Sequence, residues 1–153
     1  MRVQTPVRYH PWRLEVGDIE WTDAYHQGQG IFTAGLSYDA YHWGTGTNVG
    51  LYADMAGYVQ NHPTYKFYGG GVFVRQFLFN FGSGYGLYVG GGIGGYDVSI
   101  RDQEDVSKSL FGGKVFLGID LPANFFVEAQ YNIFGKNQYR DLSTFGASIG
   151  YRF

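Results

Sequence analysis

Apolar and polar residues alternate one for one along much of this chain, and the alternation restarts after each glycine- or proline-rich break. It is cleanest over residues 143–153, where Phe145, Ala147, Ile149, Tyr151 and Phe153 share one parity and Thr144, Gly146, Ser148, Gly150 and Arg152 the other. Successive strand side chains point to opposite faces, so the segment reads as a strand with one uncharged apolar face. A strand this flat and apolar is an aggregation template unless it is paired, covered or closed into a barrel. Another strand must therefore complete it.

The same period predicts strands over residues 13–23, 31–41, 47–60, 65–79, 85–100, 109–121 and 125–134, which with the closing segment makes eight. Residues 1–11 contain two prolines and no periodicity and read as a tail, leaving 12–153 as one domain. The first strand is untidy: Leu14 and Val16 take one parity, Ile19 and Trp21 the other. A bulge near Gly17 and Asp18 is expected there, placing all four outside. H-W-G-T-G-T, N-F-G-S-G and P-A-N read as tight turns that alternate with polar loops, the most charged being R-D-Q-E-D-V-S-K. Helical period is nowhere convincing. The predicted fold is all-β, an eight-stranded antiparallel up-and-down meander closed into a transmembrane barrel.

Parity alone does not say which face is inside. An eight-stranded barrel has an interior just wide enough to be filled by side chains, and the apolar sets are too bulky to fit there. Those sets are therefore expected to face lipid, with Leu87, Val89, Ile93, Val115, Leu117, Ile119, Val127 and Ile149 among them. The other parity is rich in Gly, Ser, Thr and Asn and carries Glu15, Asp39, Asp54, Arg75, Lys114, Asp120, Glu128 and Arg152. Lone charges in a lumen are costly, so most should be paired in a network that plugs the barrel. Arg75, Glu128, Asp39, Asp120 and Arg152 are expected near the turn-end mouth, Asp54 and Lys114 deeper. Aromatics are expected as two girdles: Tyr41, Trp43, Tyr85, Phe125, Tyr151 and Phe153 at the turn end, Trp21, Phe32, Phe111 and Phe145 at the loop end.

Composition agrees with that placement. Charged residues are 16% of the 153, aromatics 20%, and glycines number 25, whereas a soluble domain carries roughly 25% charge. A net charge of −2 with 11 scattered basic residues gives no footprint for nucleic acid. The chain has no cysteine, hence neither disulfides nor thiolate metal sites. No apolar run is long enough for a transmembrane helix. A mean hydropathy of −0.21 does not oppose a barrel, whose two faces average out. The N-terminus shows no apolar signal-peptide region, so an exported form would appear here as the mature chain behind Met1.

On these residues the chain resembles the small eight-stranded outer-membrane barrels of the OmpA/OmpX type over about residues 13–153. The most specific part is Thr144-x-Gly146-x-x-Ile149-x-Tyr151 with Phe153 last, which resembles the C-terminal signal read by the bacterial barrel-assembly machinery. F-V-E-A-Q-Y is similar to the penultimate strand of many such proteins. The resemblance implies periplasmic termini and tight turns, outward-facing loops, and a monomer whose partners are membrane lipid and the assembly machinery. It departs from adhesive members in its short outer loops, and a bare barrel is the expectation.

Candidate chemistry is sparse. Gly90-x-Gly92-x-x-Gly95 matches a dinucleotide fingerprint formally, but strand rather than helix follows it, and no cofactor is expected. Lipid A deacylases on this scaffold carry His-x-Ser-Asn in the penultimate strand, where this chain has Gln130-Tyr131-Asn132. His26 and His62, with Asp23 and Ser107 as conceivable companions, are the remaining catalytic candidates, and solvated loop histidines account for them more simply. The four histidines lack metal-ligand spacing. The expected function is thus non-enzymatic, structural or in surface interaction, with a lipid A-modifying enzyme or a narrow pore or small-ligand carrier as alternatives.

Overall fold

The structure, a computed structural model, describes residues 10–21, 31–44, 46–57, 64–101, 105–134 and 143–153. Eight strands form one closed antiparallel barrel in sequence order, as the alternation predicts: β1 Trp12–Trp21, β2 Ile31–Trp43, β3 Thr47–Gly57, β4 Thr64–Gly82, β5 Tyr85–Arg101, β6 Asp105–Asp120, β7 Phe125–Phe134 and β8 Thr144–Arg152. The described residues contain no helix beyond a single 3-10 turn at Pro122–Asn124. β8 closes on β1 from Arg13 opposite Arg152 to Trp21 opposite Thr144. The zip runs to the last residue, since Trp12 and Phe153 exchange backbone hydrogen bonds of 3.2 and 3.0 Å.

The tight turns follow their backbone chemistry. Ser83 and Gly84, both at positive φ, make a two-residue hairpin link between Gly82 and Tyr85. That is the turn whose twist matches the strands it joins. Ala123 and Asn124 are also left-handed, at φ of 59° and 65°, an arrangement that asparagine tolerates better than alanine.

Strand one corrects the sequence reading. Its ladders to β2 and β8 run without a break through Gly17 and Asp18, so there is no bulge. Leu14 and Val16 stand exposed, while Ile19 is fully buried inside the barrel. The space for Ile19 comes from across the seam: a Cβ on Gly146 would strike it. Asp18 consequently takes the outer face, opposite Phe32. The side chain of Trp21 lies outside the described residues.

R-D-Q-E-D-V-S-K is a second correction. Most of it is strand: β5 continues to Arg101, β6 starts at Asp105, and these two residues face each other in register. Ile100 and Val106 lie opposite each other in the preceding row. Described pairing of β6 with β7 ends at Gly112 and Phe134, so the β5–β6 hairpin projects on the loop side well past that row. The outer surface is therefore not uniformly low, contrary to the expectation of short loops.

The exposed set on the outer wall includes Val89, Ile93, Val115, Leu117, Ile119, Val127 and Ile149, with Leu87 part-exposed on the same parity. Tyr41, Trp43, Tyr85, Phe125, Tyr151 and Phe153 are exposed toward the turns and Phe32, Phe111 and Phe145 toward the loops. Trp12, Phe79, Phe81 and Tyr68 add to these two aromatic bands.

Candidate functional site

The inward parity is where the chemistry converges. Facing positions on β1, β6 and β8 bring Arg13, Asp120 and Arg152 together at the turn-end mouth. Asp120 accepts from Arg13 Nη1 and Nη2, at 3.2 and 3.5 Å, and from Arg152 Nη1 at 2.7 Å. Beside them, Arg75 on β4 donates to Asp39 on β2 at 2.6 Å, and Asn48 donates to the other oxygen of Asp39 at 3.0 Å. Deeper, Lys114 donates to Asp54 at 2.9 Å. Glu15 accepts from Ser148 and Glu128 from the Tyr88 hydroxyl, each at 2.9 Å. Each ionic residue expected in the lumen thus has a polar partner there, and charge-assisted bonds of this kind are the stronger ones.

Arg13 is the ion that the sequence reading missed. It is 2% exposed and shares the parity of Glu15. That parity was the available signal, obscured by its place at the very start of the strand.

The interior is also far more aromatic than a polar lumen implies. Tyr52, Phe67, Phe73, Tyr88, Tyr96, Phe116, Phe126 and Phe134 are all buried. They fit because glycines on the neighbouring strands leave room: a Cβ on Gly118 would strike the Tyr88 ring, and one on Gly150 the Phe126 ring. Gly90 makes way for Phe116 in the same manner, and β5 runs straight on past Gly95. The formal dinucleotide fingerprint is accordingly strand, in which Gly90 and Gly92 make room for the Phe116, Tyr52 and Phe73 rings while Gly95 lies exposed on the outer face.

Rings and cations solvate one another. The Arg75 guanidinium lies 4.6 Å from the Phe73 ring centre, that of Arg13 5.0 Å from Tyr88 and 4.9 Å from Phe126, and Lys114 Nζ 4.2 Å from Tyr52. Such contacts strengthen when water is excluded. The cavity bounded by Glu15, Arg75, Lys114 and Glu128 among others measures about 10 Å³, space for about one water.

Gln130 and Asn132 are buried on the lumen side, where Asn132 donates to Thr144 at 3.0 Å. Thr144 and Gly146 of the closing strand face inward, while Ile149, Tyr151 and Phe153 are exposed outside. His26, His62 and Asp23 lie outside the described residues, as does the side chain of Ser107.

Solved structures that align with nearly the whole chain include the following three. Neisserial surface protein A matches with a TM-score of 0.66 at 16% identity, covering 93% of this chain and 96% of its own. The N-terminal β-barrel domain of Pseudomonas aeruginosa OprF gives 0.60 at 13% identity, covering 94% and 98%. The outer membrane enzyme PagL gives 0.64 at 14% identity, covering 93% and 97%. No family model matches the chain, and no curated protein sequence does. The chain has the fold of the small eight-stranded outer-membrane barrels, a scaffold that serves both a surface protein and an enzyme.

Proposed function

We propose that this protein is an integral outer-membrane barrel without enzymatic activity, its lumen plugged by its own side chains, acting as a structural or surface-interaction element. The observation that carries the reading is the inversion of the two faces: large apolar side chains stand exposed on every strand, while the ion pairs described above lie inside. Soluble monomers rarely expose so much contiguous apolar surface. Hydrocarbon tolerates it, and a closed ring leaves no backbone group unpaired there. The likeness to outer-membrane barrels supports the location. Lipid is then the outer partner, and the barrel-assembly machinery would engage the closing strand through Thr144, Gly146, Ile149, Tyr151 and Phe153.

Against catalysis on lipid stands the inward placement of Gln130 and Asn132, the positions comparable to the deacylase segment. A group buried in the lumen does not reach an acyl chain in the bilayer.

Detergent gel mobility before and after boiling, single-channel recording and lipid A acyl release together test the reading. The folded form should shift on boiling, show no large stable conductance and release no acyl chains. Val89→Arg should cost about 2 to 4 kcal/mol in a bilayer if position 89 faces lipid near the midplane. Indifference to that change, or full solubility without detergent, refutes the membrane reading. Stable conductance refutes the plug, and acyl release that is lost on changing His26 or His62 refutes the non-enzymatic role.

A further inference from the structure

Seven of the eight ladders join strands that follow one another in sequence, so a turn or loop constrains each of those registers. The eighth joins β8 back to β1, with the rest of the barrel between them in sequence, and no connection constrains it. The side-chain period lets this seam slip only in steps of two, since a slip of one would turn the apolar face inward. A slip of two changes the stagger of the closed ring, and stagger, strand number and diameter are linked. The register chosen at the seam therefore sets the bore.

The lumen-facing rows of the seam carry a pattern able to make that choice. Glu15 faces Gly150, Gly17 faces Ser148 and Ile19 faces Gly146, so each of three successive rows pairs one glycine with one side chain. The fit is close on both strands. A Cβ on Gly146 would strike Ile19 Cγ2, one on Gly17 the Ser148 side chain, and one on Gly150 the Leu14 carbonyl oxygen and the Phe126 ring. The Ser148 hydroxyl donates to Glu15 at 2.9 Å, from one row to the next past Gly17.

Slipping β8 by two in either direction destroys the pattern. Ile19 then faces Ser148 or Thr144, each with a Cβ where Gly146 has none. Gly17 then faces Gly150 or Gly146, and two glycines stand opposite each other. One row becomes overfilled and the next underfilled, and a close-packed interior penalises both. We propose that this alternation of glycine and side chain across the β1–β8 seam selects the closing register, and through it the bore, with Ile19 and Gly146 as the deciding pair. Gly146 then acts twice, within the signal offered to the assembly machinery and as a positioning residue for closure. The proposal rests on the outer-membrane reading given above.

The chain has no cysteine, so introduced pairs read the register directly. Val16→Cys is combined in turn with Ile149→Cys, its partner in this register, and with Ala147→Cys or Tyr151→Cys, its partners after a slip of two. All four positions are exposed on the outer wall. Each barrel is refolded from urea into detergent without assembly machinery, oxidised, and run on gels with and without boiling. The link from 16 to 149 should exceed either slipped link by about tenfold, the size expected of one overfilled row. Gly17→Ile with Ile19→Gly moves the side chain by one row, so that it meets a glycine only after a slip. A link from 16 to 147 or 151 should then replace the native one. Should that double variant not refold, Gly146→Ala decides, by raising the slipped links about tenfold against the native link or by abolishing closure without machinery. A slipped link that predominates in the unaltered barrel, a native link kept by the transposed variant, or closure of Gly146→Ala with the unaltered proportion of links overturns the proposal. If the unaltered barrel shows the boiling-dependent gel shift while the links disagree, the seam assignment alone fails; if the shift is absent too, the membrane reading fails with it.

Discussion

Toward the turns the lumen is closed by charge, with Arg13 and Arg152 on Asp120 and Arg75 on Asp39. Toward the loops it is closed by rings, with Phe67, Tyr96 and Phe134 at centroid separations of 6.2, 5.5 and 4.9 Å. Ile19, Ile31, Ala56 and Val98 are buried in the same apolar cluster as these rings, which runs on through Tyr52 to Phe73, Tyr88 and Phe116, and the Tyr52 and Tyr96 hydroxyls meet in it at 2.6 Å. One wall thus encloses two kinds of filling. Buried charges stabilise only as a complete set, because a guanidinium stripped of its carboxylate stays desolvated and unpaired. A trimmed ring loses the transfer free energy of the atoms removed and leaves a cavity, but it strands no charge. The turn half should therefore be brittle and the loop half tolerant.

The largest effect should come from Asp120→Ala, which leaves Arg13, 2% exposed, without its bidentate partner and Arg152 without its own. Breaking a buried pair from one side costs about 3 to 5 kcal/mol. Urea unfolding of the variant in lipid vesicles measures this, and a loss under about 1 kcal/mol would mean that water reaches the mouth and screens the guanidinium, as at a surface pair. Next in size is Phe134→Leu in the ring cluster. This near volume-conserving change should cost less than about 1.5 kcal/mol by the same measurement. A cost equal to that of Asp120→Ala would erase the distinction between the halves.

The faces of the barrel were legible in the sequence because strand geometry converts parity directly into direction. Glu15, Asp39, Asp54, Arg75, Lys114, Asp120, Glu128 and Arg152 could be placed inside before any coordinates. What parity does not encode is which strand lies opposite. Arg13 reaches Asp120 across 107 positions of sequence, and Ile19 turns inward because Gly146 on another strand leaves it room. Apolar character alone sent Ile19 outward in the sequence reading. The charged stretch after Ile100 misled for a related reason. Charge density suggests solvent, but Arg101 opposite Asp105 is as compatible with a projecting hairpin as with a loop. The open groove lined by Tyr68, Gly95 and Phe111 on the outer wall was invisible for the same cause, since these residues come from three strands and meet only through register.

The smallest effect belongs to the polar link of the ring cluster, and it is the sharpest test of why the halves differ. Tyr52 and Tyr96 spend one hydroxyl each on the other, 5% and 3% exposed. Tyr96→Phe alone leaves the Tyr52 hydroxyl buried and short of that partner, whereas changing both to Phe removes donor and acceptor together and keeps both rings. Lys114 retains a ring beneath its ammonium in either case. Replacing both partners of a buried hydrogen bond by apolar groups of the same shape is nearly neutral. The double variant should accordingly unfold within about 0.5 kcal/mol of the unaltered barrel, and each single variant should be less stable than the double. If the losses instead add, the hydroxyls have other partners or water at hand, and the loop half is wetter than its rings imply.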